Sequence, residues 1–171
     1  MDFFETIEKR RSVRSFLNKE IDNKTLDSVL KTVNLAPSAG NLQAYRIVVV
    51  KNPELKQKLA TASHEQEFIT DASVVLVFLA DKSISERKYG KRGADLYSIQ
   101  DATIAAAHSQ LAATALGLGS VWVGAFEPHE IAELVGAKPH EEPIAIIPIG
   151  YPAETPKERK RKHLGEITTY L

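Results

Sequence analysis

ASVVLVFLA, residues 72–80, is apolar at every position but one. Successive side chains of a strand point to opposite faces, so a strand that is apolar throughout must be covered on both sides. A chain built round such a segment needs helices packed above its sheet and below it. Three further segments read as strands: the β-branched YRIVVV at 45–50, GSVWVGAF at 119–126, and EPIAIIPIGYP from 142, ending near Gly150.

Helical patterns lie between them. Phe3, Phe4 and Ile7 recur at helical spacing in a first helix over about residues 2–10. Asp22 or Asn23 can cap a second helix, whose Leu26, Val29, Leu30 and Val33 form one apolar stripe that stops before Pro37. Pro53 opens a third, PELKQKLATAS, and PHEIAELVG reads as a capped helix. Residues 98–116 differ, because Ala, Ile and Leu occupy nearly all sides of the helix. In a domain this small such a helix offers more apolar surface than one core can cover, which predicts a homodimer. DKSISERKYGKRGADL, from Asp81, reads as a charged, mobile insert. No repeat or linker is visible, so residues 1–171 form one α+β or α/β layered domain, and the segment from 152 onward, without a core pattern, is its tail.

Composition narrows the function. Of the 171 residues, 43% are apolar and 26% charged, as in an ordinary globular domain. Twenty-two basic residues balance 22 acidic ones, so no global field draws the chain to nucleic acid or an anionic membrane. The absence of cysteine excludes disulfides, thiolate metal sites and cysteine nucleophiles, and fits a reducing, cytoplasmic setting. The five histidines are scattered without ligand spacing, so no metal is expected. The opening MDFFETIEKRR lacks the apolar core of a signal peptide, and no run is long enough to span a membrane.

Two basic clusters stand out against that neutral background. Arg10, Arg11, Ser12 and Arg14 place guanidinium forks and a hydroxyl within five residues, a set suited to a phosphate; KERKRKHL, residues 157–164, is the second. Each read alone is also an ordinary solvated basic segment. The third feature is the loop APSAGNLQ, residues 36–43, longer than a turn requires. Its carboxamides can satisfy local backbone, or Asn41 and Gln43 can offer donors and acceptors to a planar heterocycle while Ala39 and Gly40 permit close approach. GLGSVWVG has Trp122 where a dinucleotide fingerprint needs its third glycine, and it opens a strand instead of following one. No phosphate-binding P-loop and no G-x-S-x-G elbow occurs. What remains is a ligand with a phosphate and a polar ring.

Four stretches, RRSVRSF, LAPSAGNLQAYRIVVV, SIQDATIAAAHSQLAATALGLGSVWVGAF and IIPIGYPAETPKERKR, in this order and over nearly the whole chain, resemble the FMN-dependent nitroreductase family in its short-chain form. The resemblance implies an α+β three-layer sandwich, with a mixed, mainly antiparallel sheet, that dimerises through the long helix and holds two FMN molecules at the interface. It maps Arg10, Arg11, Ser12 and Arg14 onto phosphate and flavin-edge contacts, and Arg159 and Arg161 onto a C-terminal pair closing on the same phosphate. Pro37, Ser38, Ala39 and Asn41 match the loop laid against the partner's flavin, with Gln43 as a supporting amide. Gln66 matches a flavin-contacting amide, and Val123, Gly124 and Ala125 match the strand end near flavin N5.

The resemblance further implies an NAD(P)H oxidoreductase reducing nitro compounds, quinones or flavins by ping-pong hydride transfer, with no catalytic acid or base among the side chains. A flavin-binding sensor or reservoir without NAD(P)H turnover is the alternative. Many relatives have Pro-Trp where this chain has Ala44-Tyr45, which implies a less rigid strand entry and a different substrate channel. The short segment after Asp81 implies that no long helical lid of the deiodinase kind covers the site.

Overall fold

The computed structural model describes residues 1–171 and is organised round β2 (Val74–Asp81), buried along its whole length. Antiparallel β1 (Tyr45–Val50) and β4 (Glu141–Gly150) flank it, and β3 (Gly119–Ser120) pairs with the far side of β4, giving the order β1-β2-β4-β3. Alternation sends Val75, Val77 and Leu79 into one core and Val74, Leu76 and Phe78 into the other, each a cluster of 16 buried residues. The first is completed by α3 (Pro53–Ala62), α4 (Phe68–Asp71) and α7 (Pro128–Leu134), through Leu59, Ile69 and Ile131. The second is completed by α2 (Asn23–Asn34) and α6 (Ser98–Ala115), through Leu26, Val29, Val33, Ala105 and Ala113. This is the expected three-layer α+β sandwich. Burying a large aliphatic or aromatic side chain contributes roughly 1.5–3 kcal/mol, so the doubly covered strands β2 and β4 anchor the fold.

Side-chain caps fix where helices start: Asp2, Asp22 and Asn52 accept the amides of Glu5, Thr25 and Leu55. The helix α7 departs from the expected cap, because Glu127 makes no side-chain bond there and Pro128 alone marks the first turn.

Two expectations are corrected. The strand expected at 119–126 survives only as Gly119–Ser120 and one bridge, Val123 to Ile146. The pairings Ser120–Ile149 and Val123–Ile146 share one register, which sets Val121 opposite Pro148. Proline has no N–H to donate, so the rung between them is lost. The segment after Asp81 is helical: α5 (Lys82–Arg92) continues through a single π turn (Gly93–Tyr97) into α6. Asp81 caps it at Ile84 N, Lys82 pairs with Glu142 at 2.5 Å, and Ser85 is buried against Gly93, where a Cβ would collide with the Ser85 carbonyl. The high charge is confined to the face turned to water.

One side of α6 is buried by the sheet and α2, while Ala107, Ala115 and Leu116 stay exposed, and Phe3 of α1 (Phe3–Lys9) borders a groove with Ala115 and Leu116. The tail from Pro152 runs mostly exposed to a last turn, α8 (Leu164–Ile167). No helix is long and apolar enough to cross a membrane.

Candidate functional site

The first basic segment leaves α1 and is stitched along the sheet edge. Val13 N donates to Ser120 O at 3.0 Å, Ser12 forms a parallel bridge with Ser120, and Phe16 bridges Pro152. Close packing requires two glycines: a Cβ on Gly119 would stand 2.9 Å from Val13, and one on Gly150 2.9 Å from Phe16. The same segment ties down the start of the tail, through Ala153 N to Ser15 O at 2.9 Å and Arg14 N to Glu154 Oε1 at 2.6 Å.

That stitching brings the second basic cluster back to the first. Arg11 sits 3.8 Å from Glu158, and Arg161 lies close enough to Arg10 to act on its charge. Burial first, and then the guanidiniums of Arg161 and Arg11, push Arg10 below its ordinary pKa. The three like charges have no acid to neutralise them beyond Glu158, an arrangement that an anion would relieve. Arg11 is partly committed, since it also donates to the carbonyls of Glu8 and Arg10. Arg10 and Arg161 are therefore the freer pair, and Arg159 makes no hydrogen bond or ion pair.

Gln66 follows two residues in the left-handed region, His64 (φ 56°) and Glu65 (φ 57°). Its Nε2 donates to Ser63 O at 2.8 Å and Ala125 O at 3.0 Å, leaving Oε1 as the atom available to a ligand. Gly124 and Ala125 are exposed, whereas Val123 is buried and serves the core. Arg14 reaches toward the same region, with its guanidinium 6.0 Å from the Phe68 ring centroid. Arg10, Arg11, Ser12, Arg14, Gln66, Gly124, Ala125 and the tail thus border one side of the molecule. They offer phosphate donors at one end and a polar edge at the other, which fits an FMN-like ligand.

The loop Pro37–Gln43 is held elsewhere. Ala39 N donates to Asp101 Oδ1 at 2.9 Å and Ala44 N to Asp101 Oδ2 at 3.4 Å, so one carboxylate of α6, 2% exposed, fastens both ends of the loop. Gln43 N donates to Ser38 Oγ at 3.0 Å, and the Gln43 amide reaches back to Asn34 O at 3.4 Å instead of outward. Gly40, Asn41 and Gln43 all have positive φ, unusual for the two amides and typical of a loop constrained for binding. A proline at 44 would lack the N–H that Ala44 gives Asp101, so the strand entry is clamped here by a hydrogen bond, where less rigidity was expected. Pro37, Ser38, Ala39, Tyr97, Gln100 and Asp101 border a cavity of about 540 Å³.

These two groups lie toward opposite ends of α6. Asp101 is in its first turn and Ser120 beyond its end; its 18 residues span about 27 Å.

Sequence reading missed Asp101, although a single acid among Ala and Ile was a visible anomaly. It also missed Phe68 and the approach of Lys88 and Tyr89 to Gly40, where a Cβ would collide with both. Asp81, His140 and Glu141 come within 4.8 Å of one another, a grouping the spacing did not suggest. Their oxygens are already used: Asp81 caps α5, and Glu141 accepts from Arg46 at 2.6 and 2.9 Å and from Lys138 N at 2.8 Å.

Comparison with known proteins accords with this geometry. The model of the nitroreductase family matches residues 7–67 and 62–151. A Methanothermobacter thermautotrophicus protein, provisionally named an NADH dehydrogenase/NAD(P)H nitroreductase, is 32% identical over 163 residues, covering 93% of this chain and 82% of its own. The NADPH:FMN oxidoreductase of Vibrio harveyi, solved with NAD+, superposes with a TM-score of 0.90 at 25% identity, over 98% of this chain and 76% of that one. Human iodotyrosine deiodinase 1 is 26% identical over 194 residues, covering 97% of this chain and 68% of its own, so kinship alone does not separate reduction from dehalogenation. By the matched span and the shared architecture, the chain belongs to the nitroreductase family.

Proposed function

We propose that the protein is an NAD(P)H-dependent FMN oxidoreductase that works as a homodimer and reduces nitro compounds, quinones or free flavins. The observation that carries this reading is the return of the tail to the first basic segment, which gathers Arg10, Arg11 and Arg161 into a site needing an anion. Arg10, Ser12 and Arg161 bind the FMN phosphate, with Arg159 joining them from the tail, and Arg11 braces them through Glu158. Arg14 places positive charge at the N1 and O2 edge. Gln66 props Ala125, and the backbone at Gly124 and Ala125 would hold the reactive edge of the ring. Bound there, FMN supplies the hydride and electron chemistry that no side chain of the protein supplies. The loop 37–43, at the other end of α6, covers the ring bound by the partner, which is why two copies are required. Donor and acceptor use one exposed face in turn, so kinetics are ping-pong.

A visible spectrum of the dialysed protein, repeated anaerobically with NADH and then NADPH, tests the reading. Bound flavin that bleaches supports it. Flavin that never bleaches turns the protein into a carrier or sensor, and no flavin after FMN addition removes the phosphate assignment. Light scattering tests the dimer: a flavin-loaded monomer would refute the shared site.

A further inference from the structure

The α5 helix carries charge that neither the fold nor the flavin reading uses. Arg87, Lys88, Lys91 and Arg92 place four cations in six residues, without an acid among them, in a chain whose net charge is zero. All four are exposed, and none forms an ion pair, whereas Lys82 at the start of the helix pairs with Glu142. Arg87 and Lys88, in the last turn before the break at Gly90, suit a helix C-terminus, but helix stability does not account for Lys91 and Arg92. Gly90, at φ 59° and ψ −151°, breaks α5, so Lys91 and Arg92 open the helical stretch that continues into α6. Cations at that end oppose the helix dipole.

Their position is specific. Lys88 lies over Gly40 so closely that a Cβ there would stand 2.6 Å from its Nζ. Arg92 Nε donates to Tyr97 Oη at 3.1 Å, and Tyr97 borders the cavity between the loop and α6. Tyr89 and Tyr97 pack edge to face with centroids 5.2 Å apart, which holds both ends of the patch together. Two cations on a rigid aromatic pair thus flank the loop that covers the flavin.

We infer that this face of α5 binds the 2′-phosphate of NADPH, and so makes NADPH the preferred electron donor over NADH. The inference rests on the oxidoreductase reading above. Lys88 and Arg92 are the two contacts: the phosphomonoester is a dianion that NADH lacks, and Arg92 offers it a fork already oriented by Tyr97. Arg87 and Lys91 add to the local field.

The test titrates the flavin-loaded protein with NADP+ and with NAD+, following flavin fluorescence, and measures the affinity for adenosine 2′,5′-bisphosphate separately by calorimetry. Each exposed charge-assisted contact is worth up to about fivefold, so NADP+ should bind roughly tenfold more tightly than NAD+, a ratio that shrinks with salt. Lys88→Gln with Arg92→Gln should bring the ratio near one and abolish bisphosphate binding, while Lys88→Arg keeps both. Equal affinities in the parent protein, or a ratio that survives the double substitution, overturn the inference and leave the oxidoreductase reading standing. A protein without flavin absorbance overturns both.

Discussion

Asp101→Asn separates a carboxylate from its nearest isostere at the point where α6 holds the loop. The two oxygens of Asp101 accept from Ala39 N at 2.9 Å and Ala44 N at 3.4 Å. An asparagine keeps one acceptor and must turn its NH2 toward the other backbone donor, leaving two donors face to face in a position that is 2% exposed. A hydrogen bond to a charged group is worth about 1.5–3 kcal/mol, and the longer of the two lies at the weak end of that range. Relief from burying a charge offsets part of the loss, so we expect a net cost of about 1–2 kcal/mol. With a urea slope near 2 kcal/mol per molar for a domain of this size, the midpoint falls by about 0.5–1 M at fixed protein concentration. Once one end is released, Asn41 and Gln43 relax from their positive φ values, and the affinity for FMN, read by fluorescence quenching, falls with stability. Asp101→Ala loses both bonds and should cost more on each assay. An unchanged midpoint together with unchanged FMN affinity in Asp101→Asn would refute the clamp. Lost stability with unchanged FMN affinity would show that the loop does not cover the ring.

Other substitutions address the remaining parts of the site. Arg161→Ala should weaken FMN binding about ten- to a hundredfold while leaving the apoprotein at least as stable, because it removes a like charge from beside Arg10; unchanged affinity would show that the tail does not reach the phosphate. Gly119→Ala drives a methyl to within 2.9 Å of Val13 and should cost about 1–3 kcal/mol in denaturation and weaken FMN binding, since the displaced strand carries Ser12 and Arg14; a neutral effect on both would show that the edge is soft. Glu141 is pushed upward by burial, but the bonds from Arg46 and Lys138 N outweigh this and set its pKa below the ordinary value. Its contribution is therefore present above about pH 4.5 and lost as pH falls through the lower folded-state value. Glu141→Gln should cost about 2 kcal/mol at pH 7 and progressively less in acid, and a pH-independent difference would contradict the assignment.

Much of the architecture was legible because the patterns that reveal it are local. A β-branched apolar run of strand length at 72–80 reads as a doubly covered strand, and the stripe of α2 and the all-round apolar α6 imply a helical layer against it. Where a pattern depends on its pairing partner, reading failed. Nothing in GSVWVGAF shows that Pro148 will sit across from Val121 and remove a rung. In DKSISERKYGKRGADL the cap at Asp81 was legible, but nothing local shows that Lys82 will meet Glu142 on β4 or that Ser85 will be buried against Gly93.

The site divides in the same way. Residue type and order sufficed to nominate two basic clusters, an amide loop and a glycine-containing strand end, since phosphate and heterocycle recognition need those groups wherever they fall. Only the tertiary structure determined which of them meet. The tail returns to Arg10 because residues 14–17 and 151–154 pair along one edge, and the loop is held apart from that edge because Asp101 fastens it to the first turn of an 18-residue helix. Those contacts join residues as many as 140 positions apart, such as Arg14 and Glu154, and no spacing within the chain encodes a distance that folding alone creates.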